Sequence, residues 1–219
     1  MKTKIHPLAR ILAPAVRLLT GVQVRWLGCA PENRQRIYFA NHSSHLDFVV
    51  LWSALPANVR ANTRPVAARD YWQSGFRSFL AQRVFRAVLV DRGIGSQGAN
   101  AEHARKKRFE VIEQLALSLG ESESLIFFPE GTRGSGEAVA EFKSGLYHLA
   151  KRRPDVELVP AYLENLNRIL PKGEVLVVPL LSMLTFGAPL RVEEGESKAQ
   201  FLHRSREALC SLRRKASTA

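Results

Sequence analysis

Cysteine is scarce in this chain: Cys29 and Cys210 are the only two, and they stand far apart. That excludes a disulfide framework and any cysteine-based metal-ligand spacing, makes a reducing compartment the default, and leaves both as core fillers. Long hydrophobic runs are missing as well. The longest uncharged stretch is Val175–Leu190, sixteen residues interrupted by Pro179, Gly187 and Pro189. A spanning helix needs about 20 apolar residues, so two buried strands joined at a turn are expected there, and no transmembrane helix. Met1–Arg10 is basic and Ile11–Val16 apolar, but Arg17 breaks the run and no small-residue cleavage site stands out, so a signal peptide is not expected. There is no internal repeat, no low-complexity linker, no G-x-S-x-G hydrolase elbow, and no P-loop lysine in Gly131–Gly136. Acidic residues are in deficit, 20 against 32 Lys+Arg, for a net charge of +12. That imbalance favours a polyanionic partner: nucleic acid, anionic lipid headgroups or an acidic carrier protein.

What is present fits one large domain. At 219 residues, with 46% hydrophobic and 24% charged residues, the chain has ordinary globular composition and ample length to bury a core. Leu8, Ile11, Leu12, Ala15 and Leu19 recur at helical spacing with Arg10 and Arg17 on another face. This predicts an amino-terminal amphipathic helix, weakened at Pro14. Val22–Leu27 and Ile37–Ala40 read as strands, and Ser44 followed by Asp47 has capping-box spacing for a helix from about His45 to before Pro56. A strand over Arg64–Ala68, a helix over Tyr71–Phe85, a strand over Ala87–Val90 and a long helix from about Asn100 to Leu119 follow. Then come a strand at Ser124–Phe128, a helix at Phe142–Arg152, a strand at Val156–Leu163, and a basic tail helix, Lys198–Lys215. This alternation predicts an α/β fold around a largely buried sheet.

Two punctuated blocks carry chemistry, each straight after a β-like run. In Asn41-His42-Ser43-Ser44-His45-Leu46-Asp47, an imidazole titrating near neutrality can take a proton from an alcohol, and a carboxylate can fix its tautomer and stabilise the imidazolium. Residues five apart in a continuous helix point about 140° from each other. The capping signal instead puts His42 in the turn before the helix and Asp47 in its first turn, where the two can meet. The plainer alternative is a helix cap and a loop histidine. His45, between them, reads as a first helical residue. In Phe128-Pro129-Glu130-Gly131-Thr132-Arg133, glycine permits close backbone approach and arginine matches phosphate oxygens as a two-pronged donor. Alone, this block is equally a strand-ending turn.

Taken in order, the motifs resemble the glycerolipid acyltransferase family that includes 1-acylglycerol-3-phosphate acyltransferases. The family's His-x4-Asp block is matched at His42–Asp47 and its Phe-Pro-Glu-Gly-Thr-Arg block without change at Phe128–Arg133. An apolar strand ending in arginine is matched by Val88–Arg92, and an apolar run with a central proline by Leu158–Leu163. Gly134 stands where serine often follows the third block. The resemblance implies a base role for His42, oriented by Asp47. It also places Arg92, Glu130, Gly131, Thr132 and Arg133 around the acceptor's phosphate. The substrates it implies are a lysophospholipid acceptor and acyl-CoA or acyl-carrier protein as donor, with no cofactor and no metal. Lys143 follows soon after and either meets an acidic headgroup or carrier or is an exposed helix-start lysine.

Two other readings compete. Gly93–Gly98 is literally G-x-G-x-x-G between a strand and a helix, yet the acidic residue a dinucleotide site expects about 20 residues on is not at the end of the next strand. The basic runs Arg105–Arg108, Lys151–Arg153 and Arg213–Lys215 allow a nucleic-acid binder, but they are scattered on helices and no nucleic-acid module signature appears. The expectation is therefore an amino-terminal interfacial helix, residues 1–21, and an acyltransferase domain, residues 22–219. Together they would sit peripherally on the cytoplasmic face of a membrane with anionic lipids.

Overall fold

The computed structural model describes residues 6–44, 46–72, 75–91, 101–165 and 182–217. The strands are β1 (Gln23–Trp26), β2 (Arg36–Ala40), β3 (Thr63–Ala68), β4 (Val88–Val90), β5 (Ser124–Phe127), β6 (Glu157–Glu164) and β7 (Met183–Phe186). Among the described residues they form one sheet in the order β1-β7-β6-β2-β5-β3-β4. The block from β6 to β4 is parallel throughout, β7 runs antiparallel to β6, and β1 pairs parallel with β7. This is the mixed, mostly parallel sheet expected.

Helices cover both faces, as a parallel sheet requires. On one side, α1 (Pro7–Thr20) and α2 (Asp47–Ala54) pack with Tyr38, Ile126, Val159, Leu184 and Phe186. On the other, α6 (Ala101–Leu119), α7 (Gly145–Arg152) and the tail helix α8 (Lys198–Ser217) pack with Ile37, Phe39, Leu125 and Leu158. All of β2 is buried, so its side chains alternate between two apolar cores. Fully burying a residue such as Phe39 or Ile37 contributes about 1.5–3 kcal/mol.

Three expectations need correction. The single helix predicted over Tyr71–Phe85 is replaced by α4 (Arg69–Trp72), α5 (Gly75–Phe79) and a π-helical turn (Leu80–Val84). Gly75 adopts φ +55°, which an uninterrupted helix cannot contain. A short α3 (Ala57–Ala61) was not foreseen. The stripe predicted on α1 splits. Ala9, Ala13 and Thr20 are buried, with Leu8, Leu12 and Val16 packed on the core, whereas Ile11, Leu18 and Leu19 are exposed. Ala9 and Ala13 lie at the centre of the buried face, with Leu8, Leu12 and Val16 packed around them at its edges. No described helix is long and apolar enough to cross a membrane. Of the two strands expected in Val175–Leu190, β7 is present and the first half lies outside the described residues.

Candidate active site

β2 and β5 are hydrogen-bonded neighbours at the middle of the sheet, in register Ile37↔Leu125, Tyr38↔Ile126 and Phe39↔Phe127. The chain leaving the carboxyl end of β2 is the His42 block, and the chain leaving β5 is the Phe128 block. Parallel pairing thus brings together segments far apart in sequence, at the sheet end where open α/β folds bind ligands.

Asn41 is the first residue past β2, and it is buried. Its side-chain amide donates to the Leu163 carbonyl at 2.9 Å and accepts from the Leu163 N–H at 2.8 Å. β6 runs beyond β2 here, and the Asn41 side chain takes over the ladder, fixing where the chain turns away. His42 then extends its Nδ1 to Asp47 Oδ2 at 2.7 Å. Because a carboxylate only accepts, the proton lies on Nδ1 and leaves Nε2 as the nitrogen able to take another. Asp47 Oδ2 also accepts from the N–H groups of Ser43 and Ser44, at 2.6 and 2.8 Å. Asp47 is fully buried while the His42 side chain is 19% exposed, so the dyad opens to solvent through its histidine.

The capping expectation is half realised. Asp47 reaches back to the Ser44 amide as the acidic member of a capping box does, but the Ser44 hydroxyl accepts from Leu46 N, and α2 begins at Asp47 rather than near His45. The second block closes over this turn. The Phe128 ring stacks on the His42 imidazole with centroids 4.3 Å apart. Glu130 Oε1 accepts from His42 N at 2.7 Å and Oε2 from Ala140 N at 2.9 Å, and Gly134 N donates to His42 O at 2.8 Å.

The turn is therefore tied to the His42 backbone from behind. Glu130 is buried, with both oxygens held by backbone amides, one of them that of His42, so it braces the His42 backbone. Burial pushes its carboxyl above the usual range, while the bonds from Ala140 and His42 pull it back. The Gly131 and Gly134 amides are likewise taken, by Phe128 O and His42 O. Thr132 and Arg133 are exposed at the turn's tip. Gly131 has φ +72°, and a Cβ there would stand 2.8 Å from Lys143 Nζ, so the Lys143 chain lies directly over the turn. Arg92 and His45 lie outside the described residues, as does Gly93–Gly98. Three contributions went unread in the sequence: the Asn41 clamp, the Phe128 stack and the Glu130 brace. An amide and an aromatic placed one residue past two adjacent strand ends are the signals that point to the first two.

Cys29 sits toward the amino ends of β2 and β6, near Arg36 and Glu157, and burial pushes its thiol up. A cavity of 420 Å³ lined by Trp26, Gly28, Pro160, Ala188 and Leu212 opens against α8, and none of the site residues lines it.

The family model described as Acyltransferase matches residues 21–164. The chain is 29% identical over 185 residues to a 1-acyl-sn-glycerol-3-phosphate acyltransferase of Limnanthes alba, covering 84% of this chain and 60% of that one. It is 24% identical over 168 residues to the human 1-acyl-sn-glycerol-3-phosphate acyltransferase alpha, covering 75% of this chain and 54% of that one. The chain thus spans little more than half the length of these curated relatives. Among solved structures, the 1-acyl-sn-glycerophosphate (LPA) acyltransferase PlsC of Thermotoga maritima superposes with a TM-score of 0.66 at 19% identity, covering 95% of this chain and 81% of that one.

Proposed function

Because the chain belongs to the acyltransferase family, we propose that it transfers a fatty acyl group from a thioester donor to the free hydroxyl of a lysophospholipid, with 1-acylglycerol-3-phosphate as acceptor and phosphatidate as product. The observation that carries this reading is the His42–Asp47 pair, with Nδ1 held at 2.7 Å and Nε2 left to act. The acceptor hydroxyl gives its proton to Nε2 as its oxygen attacks the thioester carbonyl. The carbon–oxygen bond forms, the carbon–sulfur bond breaks, and the imidazolium returns the proton to the departing thiolate. Acyl-CoA or acyl-carrier protein serves as donor. The reaction balances between the two substrates and His42, with no acyl-enzyme, metal or cofactor.

Arg133 and Thr132, exposed at the turn beside the dyad, are assigned to the acceptor's phosphate. Arg92 is assigned there by resemblance to the family alone. The names of the curated relatives favour the lysophosphatidate acceptor. Acylation of a different lysolipid by the same chemistry is the second reading, favoured by Gly134, which stands where the family often has a serine. We place the enzyme peripherally on the cytoplasmic face of a membrane, with the exposed Ile11, Leu18 and Leu19 of α1 meeting the bilayer and Arg10 and Arg17 meeting anionic headgroups. The test is transfer by purified protein, with lipid products read by mass across donors and acceptors. His42→Ala is expected to cost about 10²–10⁴-fold in turnover, and Arg133→Ala to raise the acceptor's KM far more than the donor's. Unchanged turnover in His42→Ala would overturn the base assignment, and an Arg133→Ala effect confined to the donor would move the phosphate elsewhere.

A further inference from the structure

The segment Arg69–Val84 leaves the carboxyl end of β3, which is parallel to β2 and β5, so it stands at the same end of the sheet as His42. Its inner side is tied to the catalytic helix. The Trp72 ring meets Phe48, the neighbour of Asp47, with centroids 5.4 Å apart, and Phe85 closes on Phe48 at 5.2 Å.

Its outer side is unlike an ordinary surface. Phe76 is 70% exposed and Phe79 41%, their rings stacked 6.2 Å apart, and neither belongs to a hydrophobic core. Tyr71 is exposed too, with the guanidinium of Arg77, the residue after Phe76, 4.8 Å above its ring. Over residues 69–86 the chain carries Arg69, Arg77, Arg83 and Arg86 against the acid Asp70; Arg69 pairs with Asp91 and Arg86 with Glu123, so the exposed Arg77 and Arg83 are the cations this patch offers. The patch also continues into α1, because the Phe79 ring meets His6 at 5.7 Å, just ahead of Pro7. The other end of α1 is fastened to the same sheet end, where Thr20 O accepts from Ser182 N and Oγ beside the start of β7.

We propose that Tyr71, Phe76 and Phe79, with Arg77 and Arg83, form a second membrane contact that seats the carboxyl end of the sheet on an anionic bilayer. Aromatics with an apolar body, interleaved with arginine and short of acid, match the layer where acyl chains meet anionic headgroups. Its position gives it a purpose that α1 alone does not supply. A single amphipathic helix attaches a protein but leaves it free to roll about the helix axis. A second contact off that axis fixes which end of the sheet faces the lipid, and here it is the end bearing His42. An acceptor could then enter from the bilayer without crossing water. That purpose rests on the lipid acceptor proposed above; the contact itself does not.

The test is vesicle flotation of the full chain with phosphatidylcholine alone and with added phosphatidylglycerol. Phe76→Ser/Phe79→Ser is expected to weaken binding about tenfold or more, and Arg77→Ala and Arg83→Ala to cut the anionic preference roughly fivefold each. Phe109→Ser, 63% exposed on α6 at the other face, is expected to change nothing. In Phe76→Trp, indole fluorescence beyond the wild-type signal should be quenched by lipids brominated on their acyl chains, a reading independent of affinity. Unchanged flotation of the double variant, or no quenching of the added indole in Phe76→Trp, overturns the proposal. So does a wild-type dimer in the ultracentrifuge that the double variant dissociates, since a second copy would then be the occupant. Turnover of a short-chain, water-dispersed acceptor separates this from the enzymatic reading. The double variant should keep that activity while losing activity on vesicle-borne acceptor. If wild type binds vesicles through the patch but transfers no acyl group, the enzymatic reading falls and the contact stands.

Discussion

At the scale of single residues, the site is held by backbone bonds more than by charges. Glu130 binds two amides, one on His42 and one on Ala140. Glu130→Gln keeps the shape but offers one oxygen and one NH2, so one amide loses its acceptor and faces a donor. A buried N–H left unsatisfied costs about 1–3 kcal/mol. The expected result is a lower Tm together with a fall in kcat, since His42 is what the brace holds, and little change in acceptor KM. A rise in KM alone would return Glu130 to the phosphate. Gly131 is constrained twice, by φ +72° and by the Lys143 chain above it. Gly131→Ala should destabilise by about 1–2 kcal/mol from the backbone alone, with more from the collision. Thermal unfolding of Gly131→Ala, Lys143→Ala and the double variant should show coupling, because removing Lys143 relieves the collision but not the backbone strain. Strict additivity would mean the lysine does not lie on the glycine.

At the scale of elements, α1 shows how one helix serves two environments. Its inward face carries alanines because it packs closely beside α2, and its outward face carries Ile11, Leu18 and Leu19. The two faces should separate under mutation. Ala13→Leu overfills a buried site and should cost about 1–3 kcal/mol in thermal unfolding. Leu18→Asp, at a position 85% exposed, should leave unfolding nearly unchanged while reducing flotation with anionic vesicles. If Leu18→Asp lowered Tm and left flotation intact, the outward face would belong to the fold.

At the scale of the whole molecule, the net charge of +12 is not all available to a partner. Arg36 is buried against Glu157 and the Ala30 carbonyl. Arg60 donates to the Ser53 and Leu55 carbonyls at the end of α2, Arg64 to Ser118 at the end of α6, Arg86 to Ala61 at the end of α3, and Arg206 to Val139. These guanidiniums satisfy carbonyls that helix ends and loops leave without partners. Hydrogen bonds of this kind are weakly screened, whereas attraction to a membrane decays over a Debye length of about 10 Å at 0.1 M salt and 3 Å at 1 M. A common salt series should therefore release the protein from anionic vesicles while shifting its Tm little. Calorimetry and flotation measured together check this, and parallel loss of both would mean the basic excess supports the fold.

The alternation of strand and helix was readable because apolar periodicity is local, and so was the meeting of His42 with Asp47, since a helix start between them bends a short piece of chain. The break at Gly75 was not readable, because the composition of Tyr71–Phe85 is that of a helix and positive φ at one glycine leaves no mark in it. Nor was the inward face of α1: the large residues suggested one stripe, and which side is buried depends on how closely α2 and the sheet approach. The brace from Glu130 escaped for the same reason. A carboxylate in a turn can face out to a phosphate or in to an amide, and the sequence of the turn is the same in both cases. By itself the sequence determined which segments become strands and which short stretches carry reactive groups, because those depend on neighbours a few residues away. That β2 lies beside β5, that His42 is held from behind by Glu130 and Phe128, and that two exposed phenylalanines share the dyad's end of the sheet were decided by tertiary structure. Each of these depends on strand order and on the direction a side chain takes once its neighbours have filled the space around it.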